Sequence, residues 1–264
     1  MKRFADLVAS YDGFIFDQYG VLHDGRTLYP GAIDALESCA VVGKPVVLVT
    51  NSGRTAAENA ERLKRLGLDP SLFSAIVTSG DLAQETLTAL NARATYILAR
   101  GSDPVRGAGP QTSNPEEADL LLIAGSETDT VSEAHYRDIL GQLSARDVPA
   151  LCSNPDMQML TSSGLKPGAG QIAAWYQHLG GTVAYVGKPW PEIYEAALRA
   201  LCLGPGARIC ALGDSIHHDI LGANRAGLSS ALVLTGVGAD LTPQAVSEMA
   251  SDDLHRPAHI LRSL

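Results

Sequence analysis

The stretch Gly13-Phe14-Ile15-Phe16-Asp17-Gln18-Tyr19-Gly20-Val21-Leu22-His23-Asp24-Gly25 constrains the fold more than any other part of the chain. An apolar run stops abruptly on a carboxylate and then turns on a glycine. Consecutive apolar residues without polar alternation read as a strand buried on both faces, as in a parallel sheet. Ligands bind outside the carboxyl ends of the strands in such sheets, which puts Asp17 where chemistry is done. Taken alone, the same Asp also reads as a helix cap.

Three further segments place reactive groups at strand ends. Pro45-Val46-Val47-Leu48-Val49 is an apolar run followed by Thr50-Asn51-Ser52. Val183-Ala184-Tyr185-Val186-Gly187-Lys188-Pro189 sets a lysine just after a short strand, with Pro191-Glu192-Ile193-Tyr194 opening a helix. Arg208-Ile209-Cys210-Ala211-Leu212-Gly213 runs into Asp214, with Asp219 five positions on. Singly, Thr50 reads as a strand-end cap and Lys188 as a surface charge. Together, and in this order, they describe a site built from four strand ends.

These four segments resemble the four motifs of the haloacid dehalogenase superfamily. The resemblance implies that Asp17 is a nucleophile, that Thr50 and Lys188 hold the transferred phosphoryl group, and that Asp214 and Asp219 hold Mg²⁺. It also implies that Asp17 and the Tyr19 carbonyl are metal ligands, and that Asn51 and Ser52 face the substrate. The chemistry gives each residue a reason. A carboxylate attacking a phosphate dianion meets like-charge repulsion, so the site needs cations, which a lysine and a metal supply. Mg²⁺ takes oxygen ligands, as this acidic set provides.

The expected fold is α/β, a doubly wound parallel-sheet, Rossmann-like core with a smaller inserted α/β domain. The core covers residues 1–80 and 182–264, and the insert covers 81–181. Within the insert, Thr95–Ala99, Leu120–Ala124 and Pro149–Ser153 read as strands, and Asp81–Ala92, Glu133–Ala145 and Gly168–Leu179 as helices. The position of the insert, with Ser153-Asn154-Pro155-Asp156 and Lys166-Pro167-Gly168-Ala169-Gly170, is similar to the C2-type cap of subfamily IIA, the NagD-like and 4-nitrophenylphosphatase-like branch. A cap excludes water and selects the leaving group. Asn154 and Asp156 then become substrate-binding candidates, with an ordinary Asn-Pro-Asp turn as the alternative.

Tyr19 departs from the resemblance, because phosphatases of this superfamily carry a second Asp there as acid and base. A phenol with pKa near 10 donates a hydrogen bond but is a poor base at neutral pH. His23 and Asp24 are the nearby substitutes, with flap residues as the plainer reading. The main expectation is a Mg²⁺-dependent phosphatase acting on a small phosphorylated metabolite through an aspartyl-phosphate on Asp17. Two alternatives follow from the Tyr: a haloacid dehalogenase-like hydrolase, which carries Tyr at this position, and a non-catalytic binder of a phosphorylated metabolite.

The 264-residue chain is 45% hydrophobic with a net charge of −9, enough apolar material for a sizeable core and the wrong sign for a nucleic-acid binder. No apolar run reaches membrane-spanning length and the start lacks a signal-peptide core, which reads as cytoplasmic. Cys39, Cys152, Cys202 and Cys210 show no paired spacing and read mostly as reduced core residues. His217 and His218 read as lining the acidic loop rather than binding zinc. The family's caps often mediate dimers, so a homodimer is one expected assembly.

Overall fold

The computed structural model describes residues 2–101, 106–161, 164–250 and 252–264. Its strands are β1 (Gly13–Asp17), β2 (Val46–Thr50), β3 (Ala75–Thr78), β4 (Thr95–Leu98), β5 (Gln111–Thr112), β6 (Leu120–Ile123), β7 (Ala150–Cys152), β8 (Gln158–Thr161), β9 (Gly164–Pro167), β10 (Val183–Tyr185), β11 (Ile209–Gly213), β12 (Ser229–Val233) and β13 (His259–Leu261). The chain divides into two compact units, one of residues 1–50, 55–78 and 188–264, the other of residues 51–54 and 79–187.

The first unit holds a six-stranded parallel sheet in the order β13-β12-β11-β1-β2-β3. Every residue of β1, β2 and β11 is buried, as their unbroken apolar runs require of strands covered on both faces. On one face Phe14 and Phe16 pack against Phe4 of the helix Phe4–Ser10, with ring centroids 5.3 and 5.4 Å away. Leu36 and Cys39 of the helix Ala32–Val41 and Leu63 of the helix Ala56–Arg65 complete that core. Thr55 starts the latter helix by accepting the Glu58 N–H while the Glu58 carboxylate reaches back to the Thr55 N–H, a reciprocal cap. Strand order reverses direction between β1 and β11, the topological switch point where an open sheet leaves a crevice.

The second unit holds a five-stranded parallel sheet, β10-β7-β6-β4-β5, and the antiparallel pair β8-β9. The helices Glu133–Ser144 and Ala169–His178 cover one face through Tyr136, Ile139, Leu140, Ile172 and Tyr176. Ala83 and Leu87 of the helix Ser79–Leu90 pack with Leu122 and Leu151 in a second apolar cluster.

Both sheets are parallel and helix-covered, the α/β class that the sequence predicts. The placement of one strand differs from the sequence division. Val183–Tyr185, read with the 182–264 segment, pairs with β7 in the five-stranded sheet, so the chain returns to the first unit only at Lys188. Residues 51–54 and 79–80, read as core, also group with the second unit. Of the cysteines, Cys39, Cys152 and Cys210 are buried, but Cys202 is exposed at a helix end, against the expectation of a core residue.

Candidate active site

Register brings the acidic residues together. Phe16 pairs with Leu212, so Asp17 and Gly213 end neighbouring strands level with each other and Asp214 lies one residue beyond. Asp17 is level with Val49 on its other side, which leaves Thr50 at the adjacent strand end. Asp219 returns to the same place because the chain after β11 makes a π-helical turn, Ile216–Ile220, begun by Ser215 capping the His218 N–H. Gly213 is required beneath it: a Cβ there would stand 2.0 Å from the Asp219 Cγ.

Asp17, Asp214 and Asp219 are all buried, and one oxygen of each lies within 4.8 Å of the others. Lys188 joins two of them, its Nζ donating to Asp17 Oδ1 and Asp219 Oδ1 at 2.6 Å each. Asp219 Oδ2 accepts the Ser215 N–H at 3.1 Å. Burial raises the Asp17 pKa well above the carboxylate range, with the charges of Asp219 and Asp214 adding to it and Lys188 opposing. Burial and Asp219 push Asp214 up to about 7. Burial works against the Lys188 charge, yet Asp17 and Asp219 hold its pKa above the usual lysine value. Tyr194, buried behind the cluster, donates to the Asp219 carbonyl at 3.1 Å, and burial raises its pKa well above 10.

Asp214 has a seat made for its carboxylate. A Cβ on Gly20 would fall 1.9 Å from Asp214 Oδ2, and one on Gly236 would fall 2.0 Å from the same atom. Both glycines have positive φ, 94° and 51°, so other side chains are excluded by conformation as well as by space. The Val237 N–H donates to that oxygen at 2.8 Å, and Thr235 Oγ1 ties the loop to the Gly20 carbonyl at 2.5 Å. Ionised, the three carboxylates exceed the single lysine by two charges in a buried space, which a hard divalent cation would offset. The donor set, all oxygen, fits Mg²⁺ better than a zinc ion.

Asp17, Thr50, Lys188, Asp214 and Asp219 lie in the first unit, Thr50 buried at its strand end. Asn51, Ser52, Asn154 and Asp156 lie in the second, where Asn51 Nδ2 donates to Asp156 Oδ1 at 3.3 Å. The Asn154 side chain accepts the Asp156 N–H at 3.2 Å, as in an Asx turn. The Ser52 carbonyl accepts from Ser79 Oγ and from the Gly80 N–H.

Tyr19 is 55% exposed, its ring nearly perpendicular to that of His23 with centroids 5.8 Å apart. His23 is buried, its Nδ1 accepts the Gly25 N–H at 3.0 Å, and burial with the nearby Arg62 charge lowers its pKa to about 4. It is therefore a neutral turn-holding residue at pH 7. Asp24 Oδ1 accepts the N–H groups of Arg26 and Thr27, so it closes a turn. Both side chains are thus engaged within the turn that follows Tyr19. Sequence reasoning missed Gly236-Val237, Ser215 and Tyr194. The first is a long-range contact with no local pattern, whereas Ser215 carried the readable signal of a cap residue three positions before its amide partner.

A sheet whose switch point gathers a buried aspartate at a strand end, a lysine and an acidic pair is the arrangement of a class of hydrolase. The family description haloacid dehalogenase-like hydrolase matches residues 14–107, and the description HAD-hydrolase-like matches residues 185–264. The chain belongs to this superfamily, and within it to subfamily IIA, the NagD-like and 4-nitrophenylphosphatase-like branch. Chronophin of Bos taurus is 29% identical over 94% of this chain and 90% of its own length. A haloacid dehalogenase-like hydrolase of Brucella suis 1330 superposes with a TM-score of 0.81 at 29% identity, covering 100% of this chain and 99% of that one. A glycerol phosphate phosphatase of Mycobacterium tuberculosis, solved in complex with magnesium, superposes with a TM-score of 0.73 at 25% identity over 100% of this chain and 78% of that one.

Proposed function

We propose that this hydrolase is a Mg²⁺-dependent phosphatase of a small phosphorylated metabolite, working through an aspartyl-phosphate on Asp17. The observation that carries the reading is the buried Asp17–Lys188–Asp219–Asp214 cluster, whose charges are costly to bury without a cationic ligand and an anionic substrate to use them. The named relatives support the phosphate-ester class, and the magnesium complex supports the metal.

An Asp17 oxygen attacks phosphorus in line, the bond from phosphorus to the ester oxygen breaks, and the leaving group departs with that electron pair. Lys188 offsets the charge of the nucleophile and of the transferred group, and the Thr50 hydroxyl holds a phosphoryl oxygen. Asp17, Asp214, the Tyr19 carbonyl and Asp219 would hold Mg²⁺, which when bound supplies the remaining positive charge. Water then attacks phosphorus, the bond from the Asp17 oxygen to phosphorus breaks with its electron pair returning to the carboxylate, and inorganic phosphate leaves carrying the water's oxygen and releasing its excess proton to solvent. The Tyr19 phenol donates a hydrogen bond near the leaving oxygen but is a weak base at neutral pH, so esters whose leaving groups need little protonation are turned over best.

Phosphate release from aryl, acyl, sugar and small-acid phosphates, with Mg²⁺ and with chelator, tests this. Turnover that needs the metal, disappears in Asp17→Asn and rises in Tyr19→Asp supports the reading. No release by either the wild type or Tyr19→Asp sinks it. Release of halide from haloacids without metal would favour the dehalogenase alternative that Tyr19 raises, and tight phosphate-ester binding without turnover would favour the non-catalytic one.

A further inference from the structure

The helix Ala56–Arg65 carries a cation that the acidic cluster does not use. Arg62 is half-buried, and among the described residues its guanidinium makes one hydrogen bond, from Nη2 to the Gly25 carbonyl at 3.2 Å. No carboxylate pairs with it among the described residues. The acids around it are engaged elsewhere: Glu58 caps its own helix, and Asp24 holds the amides of Arg26 and Thr27. A guanidinium has five N–H donors in a planar fork, so most of this one's capacity remains for an anion.

Its position ties it to the nucleophile's loop. A Cβ built on Gly25 would lie 3.1 Å from Arg62 Nη2 and 3.1 Å from Tyr19 Cε2, so the guanidinium and the Tyr19 ring flank one point. Tyr19 stands two residues after Asp17, is 55% exposed and is backed by the His23 ring. Across Gly20, which packs on Gly236, Val237 is 72% exposed. An aromatic face, an aliphatic side chain and a fork of donors thus stand beside the carboxyl end of β1. Apolar groups left in water at a reactive site, next to an unpaired cation, are the elements of a recognition surface.

We infer that Arg62 and the Tyr19 ring form a leaving-group subsite that selects phosphate monoesters whose departing portion is an aromatic ring bearing a second anionic group, a carboxylate in the simplest case. The inference rests on the phosphatase reading and narrows its substrate class. The ring lies along Tyr19 and Val237, and the anion takes the guanidinium donors that Gly25 leaves. Arg62 is a specificity residue here, remote from the reacting atoms.

The test compares the 2-, 3- and 4-carboxyphenyl phosphates with their neutral carbamoylphenyl counterparts, in the wild type, Arg62→Gln and Arg62→Lys, each with Mg²⁺. The wild type should favour the best-placed carboxylate isomer over its amide by about tenfold to a hundredfold in kcat/KM, the size of a charge-assisted contact. Arg62→Gln should bring that ratio close to one, through KM rather than kcat, and Arg62→Lys should restore part of it. An unchanged ratio in Arg62→Gln for all three isomers overturns the inference, as does an equal loss on both members of each pair, which is what a purely structural bond to Gly25 predicts. Calorimetric binding of the matching carboxyphenyl- and carbamoylphenylphosphonates gives the same ratio without turnover. If no ester is hydrolysed the phosphatase reading fails, and the phosphonate ratio still decides the role of Arg62.

Discussion

The two sheets are made by the same rules and put to different use. In each, short apolar parallel strands are sandwiched between helices, and in each the core is closed by large side chains such as Phe14 and Phe16 in one and Tyr136 and Tyr176 in the other. They differ at the carboxyl ends of the strands. The six-stranded sheet ends in Asp17 and leads into Asp214 and Asp219, all buried, with one lysine between them. The five-stranded sheet gathers no such group of buried acids among the described residues: β6 and β7 lead toward the buried hydroxyls of Ser126 and Ser153, with Ser126 Oγ donating to the Pro167 carbonyl at 2.7 Å, and β10 leads toward Lys188. Packing is therefore common to both, and the buried acids are a charge burden carried at the strand ends of one.

The largest expected contrast is in rate. Asp17→Asn should lower phosphate release by at least about 10⁴-fold, because no other group replaces a lost nucleophile. Asp156→Asn keeps an acceptor for Asn51 and should cost about tenfold or less. Equal losses, measured as kcat/KM on one ester, would erase the difference between the units.

Core truncation should instead treat the sheets alike. Leu48→Ala and Leu151→Ala each remove a buried side chain and should cost about 2–5 kcal/mol in denaturant unfolding. A cost well under 1 kcal/mol at Leu151 would show that the second sheet is loosely packed.

Next in size is a pH effect confined to the first unit. His23 has a folded pKa of about 4 against an ordinary value of 6.5, so the unfolded chain binds its proton first. Stability from the neutral imidazole is complete above about pH 6.5 and is lost as pH falls toward 4, by up to about 3 kcal/mol. The wild type should therefore lose stability relative to His23→Gln over that window, and parallel curves for the two proteins would refute it.

The smallest effect has the opposite sign. In chelator, Asp214→Asn relieves repulsion among buried carboxylates and keeps an acceptor for the Val237 N–H, so it should stabilise the protein by about 1–2 kcal/mol while abolishing turnover. A fall in melting temperature would mean that the acidic cluster holds the fold together.

Most of the candidate site was legible because its residues end apolar runs. Asp17, Thr50 and Asp214 each follow four or five consecutive buried positions, and such short runs in order, each ending on a polar group, read as parallel strands. Sheet membership was less legible. Val183-Ala184-Tyr185 is three residues long and reads the same in either sheet; its pairing with β7 is decided by long-range packing. The helix Phe4–Ser10 is only seven residues long, too short for a periodic signal to stand out. β9 has no buried residue, and so gave no buried face to read. The seat of Asp214 joins Gly20 to Gly236 across the whole chain, a contact that no local pattern announces.

The weave of the chain has a consequence for the order in which the protein can be made. β1 is paired from Gly13 to Ile209, while every strand of the five-stranded sheet lies between Thr95 and Tyr185. Synthesis from the N-terminus thus delivers that whole sheet while β1 still lacks one neighbour, and pairing over so great a sequence distance is slow. Asp214 and Asp219 arrive last of the acidic set. On the ribosome the strands of the inserted unit are complete before the charges of the acidic set can be brought together.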